Sequence, residues 1–205
     1  MLYCSIRMPE KSSSAVRLEA FSDGVIAVIV TIMVLELKVP HEDGAAGLYA
    51  ITPILLIYLL SFAFTGIYWI NHQHLVERIG SADRLILYAN LGFLFCLSLL
   101  PFFTSYVIEK KIAAFAVSLY AASMIVTGFS FLLLRLAIHR ELRRLGNLGP
   151  QDTAERGKHL SSLALYLLAI PLAYFHPALA LILISVVTII WIVPRLAISR
   201  KVAKP

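Results

Sequence analysis

Charge is what this 205-residue sequence has little of: Asp, Glu, Lys and Arg make up 15% of it, against 60% apolar residues. With a mean hydropathy of +0.83, that excludes an ordinary soluble domain, in which about a quarter of residues are charged. The few charges lean basic, 18 Lys and Arg against 12 Asp and Glu. No run alternates basic with aromatic residues, so the stacking platform of a nucleic-acid-binding surface is missing and nucleic acid is not an expected partner. Loops facing anionic headgroups account for the excess, which makes the lipid bilayer the expected surroundings. Cysteine is scarce too. Cys4 lies in a polar tail and Cys96 in an apolar run, at different membrane levels, which predicts no disulfide. The first twenty residues lack an apolar core followed by a small-residue cleavage site, so the first span is expected to serve as its own insertion signal. No internal copy of that span recurs, which argues against an inverted-repeat transporter within one subunit.

What is present is a series of apolar runs. A hydrocarbon core about 30 Å thick asks for roughly 20 helical residues, and six segments approach that. They run from about Val16 to Val39, Leu48 to Ile70, Leu85 to Ile108, Ile112 to Ile138, Leu160 to Phe175 and Ala178 to Val193. Pro40 is the expected stop of the first, and Thr52 before Pro53 reads as an N-cap with a first-turn proline. Pro101 removes a backbone donor inside the third span and predicts a kink or an unwound turn. When the six spans alternate, 15 of the 18 basic residues fall on one side and Lys38, Lys110 and Lys111 on the other. Basic residues stay cytoplasmic during insertion. The predicted fold is therefore an all-α membrane protein of six transmembrane helices. Residues 1–15 form a cytoplasmic N-terminal tail, residues 16–193 the membrane domain, and residues 194–205 a basic cytoplasmic C-terminal tail.

Charges within a membrane are costly and usually functional, and the first span is the one that clearly contains them. Arg17, Glu19, Ser22 and Asp23 crowd its cytoplasmic third, and Glu36 lies near its outer end. Arg17 and Asp23 are about 120° apart around a helix, so Asp23 needs a partner elsewhere. The cytoplasmic end of the second span offers Trp69, Asn71, His72 and His74 for an interhelical cluster. The other reading makes Ser22 and Asp23 caps of a shorter helix, which would leave Asp23 to Val39 at about 25 Å, short of the hydrocarbon thickness. His72 and His74 point to different sides of a helix and lack further ligands, so no fixed metal site is expected. Further along, Gly24, Val28, Thr31 and Leu35 recur at four, three and four residues. This single stripe suits either ordinary helix packing or close approach of identical helices around an ion pore, and spacing leaves both open. A proton-coupled transporter would want ionisable groups at mid-membrane, and spans two to six supply none. An intramembrane enzyme would have Asp23 with His72 as its one candidate pair; no enzymatic activity is expected.

Arg17-x-x-x-Phe21-Ser22-Asp23, opening the first span, resembles the signature of the transmembrane protein 175 family of potassium channels. Trp69-x-x-His72, Asn90 and Pro101 extend the likeness over nearly the whole chain. The resemblance implies a homotetramer with helix one of each subunit lining a central pore, potassium ions passing transiently through it, and no cofactor. It places the narrow layer at Val28, a hydroxyl layer at Thr31 and a further apolar layer at Leu35. It also implies that Arg17, Phe21, Ser22 and Asp23, with Trp69 and His72, brace the pore helix. The family usually carries leucine or isoleucine at the constriction, and Val28 is one methylene shorter. The sequence has no Thr-Val-Gly-Tyr-Gly loop to replace an ion's water with backbone oxygens. A leak-type cation channel of modest selectivity in a bacterial cell membrane is the expectation, with a proton leak or a cation transporter on the same scaffold as the alternative.

Overall fold

The computed structural model describes residues 12–40 and 43–202, and all regular secondary structure among them is helical. Eight helices follow in order: α1 (Ser13–Leu35), α2 (Gly44–Ala50), α3 (Thr52–Val76), α4 (Arg84–Ser98), α5 (Leu100–Glu109), α6 (Ala114–Arg144), α7 (Pro150–Phe175) and α8 (Pro177–Val202). Five stretches are long and apolar enough to cross a bilayer: α1, α3, α4 with α5, α6, and Ala154–Phe175 of α7. The apolar part of α8, Pro177–Ile192, is shorter. The chain is an integral, multi-pass membrane protein. Residues 1–11 of the predicted N-terminal tail, and Cys4 with them, lie outside the described residues. At the other end α8 runs on to Val202, beyond the predicted limit of the last span.

Helix boundaries depart from the sequence reading where side chains find partners that spacing does not show. Ser12, not Ser22 or Asp23, caps α1, its hydroxyl accepting from the Ala15 amide, so the short-helix reading fails. The helix then stops at the Glu36 turn, four residues ahead of Pro40. Thr52 is not an N-cap: it is the first residue of α3, and its hydroxyl donates back to the Leu48 carbonyl at 3.2 Å. Pro53 does occupy the first turn as expected. The third span breaks at Leu99, with Pro101 in the first turn of α5, since a proline amide has no hydrogen to continue the ladder from α4.

The largest departure is at the α6–α7 connection. The sequence reads as a long polar stretch from His139 onward, but helix covers most of it and residues 145–149 alone separate α6 from α7. Gly146, at φ +71, ends α6, and the Asn147 amide donates to the Leu142 carbonyl at 2.9 Å, the long-range bond of a Schellman cap. Asp152 starts α7: its Oδ2 accepts from the Gly149 amide at 2.8 Å, and Arg78 clasps both of its oxygens from the end of α3. The Arg78 Nη2 that meets Asp152 Oδ2 also donates to the Asn147 carbonyl at 3.1 Å.

Buried residues run the length of α6, from Ala116 to Leu142, and it packs against α7, α4, α5 and α8. Gly128 permits the close approach to α7, because a Cβ there would meet Leu163 Cδ2 at 2.6 Å and the Tyr68 hydroxyl at 2.9 Å. His159 donates to the carbonyl of that same glycine at 2.8 Å. Around this point Phe64, Tyr68, Phe93, Phe131 and Tyr166 interlock edge to face, an arrangement that adds to simple burial. Buried Arg135 lies against the Phe131 ring and pairs with Glu155 at 2.8 Å.

The hydrogen bond from Arg78 holds the Asp152 carboxyl at about 2, below its ordinary 3.8. A carboxyl lowered by folding stabilises the native state above its unfolded pKa and loses that contribution as pH falls toward the folded one. We therefore expect Asp152→Asn to lower the melting temperature of detergent-solubilised protein by several degrees at neutral pH. The gap from wild type should close as pH falls from about 4 to about 2. Thermal melts across that range check this, and a gap that does not change with pH would refute it.

Candidate functional site

The inward side of α1 repeats at helical spacing: Leu18, Ser22, Ile26, Ile29 and Met33 are all buried against α3, α4 and α5. Ser22 is the polar member of this face, and its hydroxyl donates to the Leu18 carbonyl at 2.8 Å. Its oxygen in turn accepts from Asn90 Nδ2 of α4 at 2.9 Å. Asn90 Oδ1 receives the next bond, from His72 Nε2 of α3 at 2.8 Å. With the amide turned this way, the ring must carry its proton on Nε2. His72 Nδ1 is then left buried without a partner, and the ring stacks on Phe93 at 5.9 Å. All three side chains are at most 3% exposed.

Asp23, one residue and about 100° further round, faces away from this chain. Its Oδ1 accepts from Trp69 Nε1 at 2.9 Å, on the exposed side of α1 and α3. The cluster expected from the sequence thus exists as two separate arms. Ser22 does not touch His72 but reaches it through Asn90, and Asp23 bonds to Trp69 and not to the histidine. Asn90 is the residue that spacing arguments missed. Its signal was a lone amide in the apolar run LYANLGFLF, a group that cannot stay unpaired among hydrocarbon.

Arg17 and Phe21 are exposed and take no part in either arm. With Ser14, Leu18, Leu87, Asn90 and Leu91 they line a groove of about 480 Å³ between α1 and α4. His74 is exposed where His72 is buried, so the two histidines do not share a site. No group of three or more His, Cys, Asp or Glu side chains comes together among the described residues.

The stripe of Gly24, Val28, Thr31 and Leu35 lies opposite the packed face. All four are exposed, Val28 by 55% and Leu35 by 79%. Thr31 Oγ1 donates to the Val28 carbonyl at 2.9 Å, which occupies its hydrogen and leaves the oxygen lone pairs facing outward. Gly24 and Val28 also line a mostly apolar groove of about 1020 Å³ that separates α1 from α5. The C-terminal ends of α1 and α5 are joined by Ser105 Oγ donating to Glu36 Oε2 at 2.6 Å.

Residues 17–101 match the family described as endosomal/lysosomal potassium channel TMEM175. A potassium channel of Chryseobacterium sp. (strain P1-3) is 38% identical over 184 residues, covering 90% of this chain and 95% of that protein. The chain belongs to the TMEM175 family. A potassium channel of Streptomyces collinus is 33% identical over 140 residues, 64% of this chain and 66% of its own length. The crystal structure of a lysosomal potassium-selective channel TMEM175 homolog from Chamaesiphon minutus superposes with a TM-score of 0.78 at 28% identity, covering 89% of this chain and 98% of that one. The TMEM175 family is one of ion channels, and this member is not an enzyme. Its matched residues run from Arg17 to Pro101 and contain both arms of the brace.

Removing the amide leaves His72 Nε2–H and the Ser22 oxygen unpaired among apolar neighbours. Asn90→Ala should therefore cost about 1–3 kcal/mol, whereas Trp69→Phe, which breaks the exposed arm, should cost about 0.6 kcal/mol or less. Thermal or chemical denaturation in detergent compares the two. A Trp69→Phe loss equal to that of Asn90→Ala would contradict the ranking.

Proposed function

We propose that the chain forms a homotetrameric, potassium-permeable cation channel in which four copies of α1 surround the ion path. The observation that carries this reading is the exposure of Gly24, Val28, Thr31 and Leu35 on the side of α1 opposite its packed face. Among the described residues all four remain exposed. The cavity that the described residues leave between α3, α7 and α8 measures about 20 Å³, room for about one water molecule and too small to be a route. Relatives named as potassium channels match most of this chain, which supports potassium as the ion.

In the proposed pore Val28 forms the narrow apolar layer, Thr31 a hydroxyl layer and Leu35 an outer apolar layer, with no fixed metal site and no cofactor. Rings of valine and leucine admit an ion only when the path is wide enough to stay wet. Thr31 offers oxygen lone pairs between them, because its hydrogen is held by the Val28 carbonyl. Four such oxygens offset only part of an ion's lost hydration, so the channel conducts as a leak with modest selectivity. Ser22, Asp23, Trp69 and His72, joined by Asn90, brace the inner end of the pore helix. Arg17 and Phe21 flank that brace on its exposed side.

We also infer six crossings, with both chain ends in the cytoplasm of a bacterial cell. The pairing of α8 with α7 supports the sixth: Trp191 donates to Ser162 at 2.8 Å, and the Lys158 ammonium sits 4.2 Å above the Trp191 ring. Trp191, late in the apolar part of α8, thus meets the first half of α7, so α8 runs antiparallel to α7 and returns the chain toward the end where α7 and α1 start. A tryptophan beneath a lysine suits the headgroup level. Basic residues concentrate at that end, which supports its placement in the cytoplasm.

Recording from purified protein in planar bilayers under potassium and sodium gradients, with ion substitution to measure proton current, tests the reading. Wild type should carry potassium current. Thr31→Ala should change the potassium-to-sodium permeability ratio by about fivefold, the equivalent of about 1 kcal/mol for one polar contact. An unchanged ratio would remove Thr31 from the pore, and current carried by protons alone would replace the potassium assignment.

A further inference from the structure

The brace at the inner end of α1 leaves its outer end to be held by other means. Beyond Met33 no side chain of α1 is buried, and the groove of about 1020 Å³, which runs along α1 from Ala20 to Glu36, separates it from α5. One short hydrogen bond spans that gap at the helix end, from Ser105 Oγ to Glu36 Oε2 at 2.6 Å. An exposed ion pair, Lys38 with Glu109 at 3.8 Å, lies beyond it and contributes little.

Ser105 is well placed to hold something still. Its neighbour Thr104, about 100° round α5, is buried and meets Ser61 of α3 at 2.8 Å. Ser61 also meets the Tyr120 hydroxyl of α6 at 2.7 Å. Consecutive residues of α5 thus bolt it to the packed helices and hold the end of α1. The bond from Ser105 is made to a carboxylate, which makes it stronger than one between neutral groups. Helix α5 is separated from α4 by the break at Leu99, so its position does not follow rigidly from that of the inner brace.

From this geometry we propose that Ser105 and Glu36 are positioning residues of the pore: their hydrogen bond sets how far the outer end of α1, and Leu35 with it, stands from the axis. The inference rests on the channel reading above. Losing the bond frees the outer end of α1 to move across the groove and changes the width at Leu35. The width of a pore is read most directly by the relative permeability of cations of graded size.

The test compares wild type, Ser105→Ala, Ser105→Thr and Glu36→Gln as full-length protein in planar bilayers. The series runs from potassium through caesium to methylammonium and dimethylammonium. Ser105→Ala should change the permeability of the largest permeant cation relative to potassium by about fivefold, the ratio equivalent to one net hydrogen bond of about 1 kcal/mol, while lowering the melting temperature in detergent by no more than about 2–4 °C. Ser105→Thr keeps the hydroxyl and should restore the wild-type series. Glu36→Gln keeps an acceptor oxygen without the charge, and a series close to wild type would separate positioning from electrostatic attraction of cations. If wild type conducts and Ser105→Ala gives the same series, the tether is overturned and the channel reading stands. A shift in Glu36→Gln with Ser105→Ala still at the wild-type series would overturn positioning in favour of charge. Wild type that carries no cation current would overturn the channel reading, and the tether with it.

Discussion

An unpaired polar group among hydrocarbon costs several kcal/mol, and that cost organises the meeting of α1, α3 and α4 around a single amide. Asn90 donates to Ser22 of α1 and accepts from His72 of α3, so one side chain of α4 joins three helices. Each bond has one workable geometry, and together they set the rotation of α1 about its own axis. Turning α1 by one residue, about 100°, would carry Ser22 out of reach and break the Asp23 contact with Trp69. Apolar packing by Leu18, Ile26, Ile29 and Met33 is compatible with that rotation. Hydrophobic contact alone tolerates sliding, whereas the amide does not.

With the rotation of α1 set, the outward direction of Gly24, Val28, Thr31 and Leu35 follows. The rest of the subunit gives that helix something firm to lean on. Helix α6, buried along its length, packs closely on α7 at Gly128. The clasp of Arg78 on Asp152 closes the basic end. The proposed pore helix is thus held at its inner end by a buried polar chain and at its outer end by the Ser105 contact, with an open groove between. The two ends differ in kind. The inner chain is shielded from water and competes with nothing, while the outer bond is partly exposed and can exchange for water.

Much of this was legible in the residues. The run of apolar segments announced a membrane protein, the spacing of Gly24, Val28, Thr31 and Leu35 announced one face of α1, and Pro101 announced a break in the third span. The need of Asp23 for a partner in the second span also followed, because Arg17 sits on another face. The helix ends were harder to read. Thr52 has the composition of a cap, but the short α2 before it places a carbonyl, Leu48, where its hydroxyl goes instead. The polar stretch after His139 reads as a loop because local hydropathy cannot register an arginine 74 residues away that satisfies Asp152.

The solvent, the class of fold and the small set of polar residues that had to be reconciled with lipid are all written in the residues, since each follows from composition or from a period along one helix. Which polar residue meets which is settled by the packing of the helices. Partners such as Asn90 with Ser22, Trp69 with Asp23 and Ser105 with Glu36 are 46 to 69 residues apart, and their meeting depends on how whole helices are rotated and staggered. That rotation is a joint property of all the packed faces, which is why no single segment could reveal it.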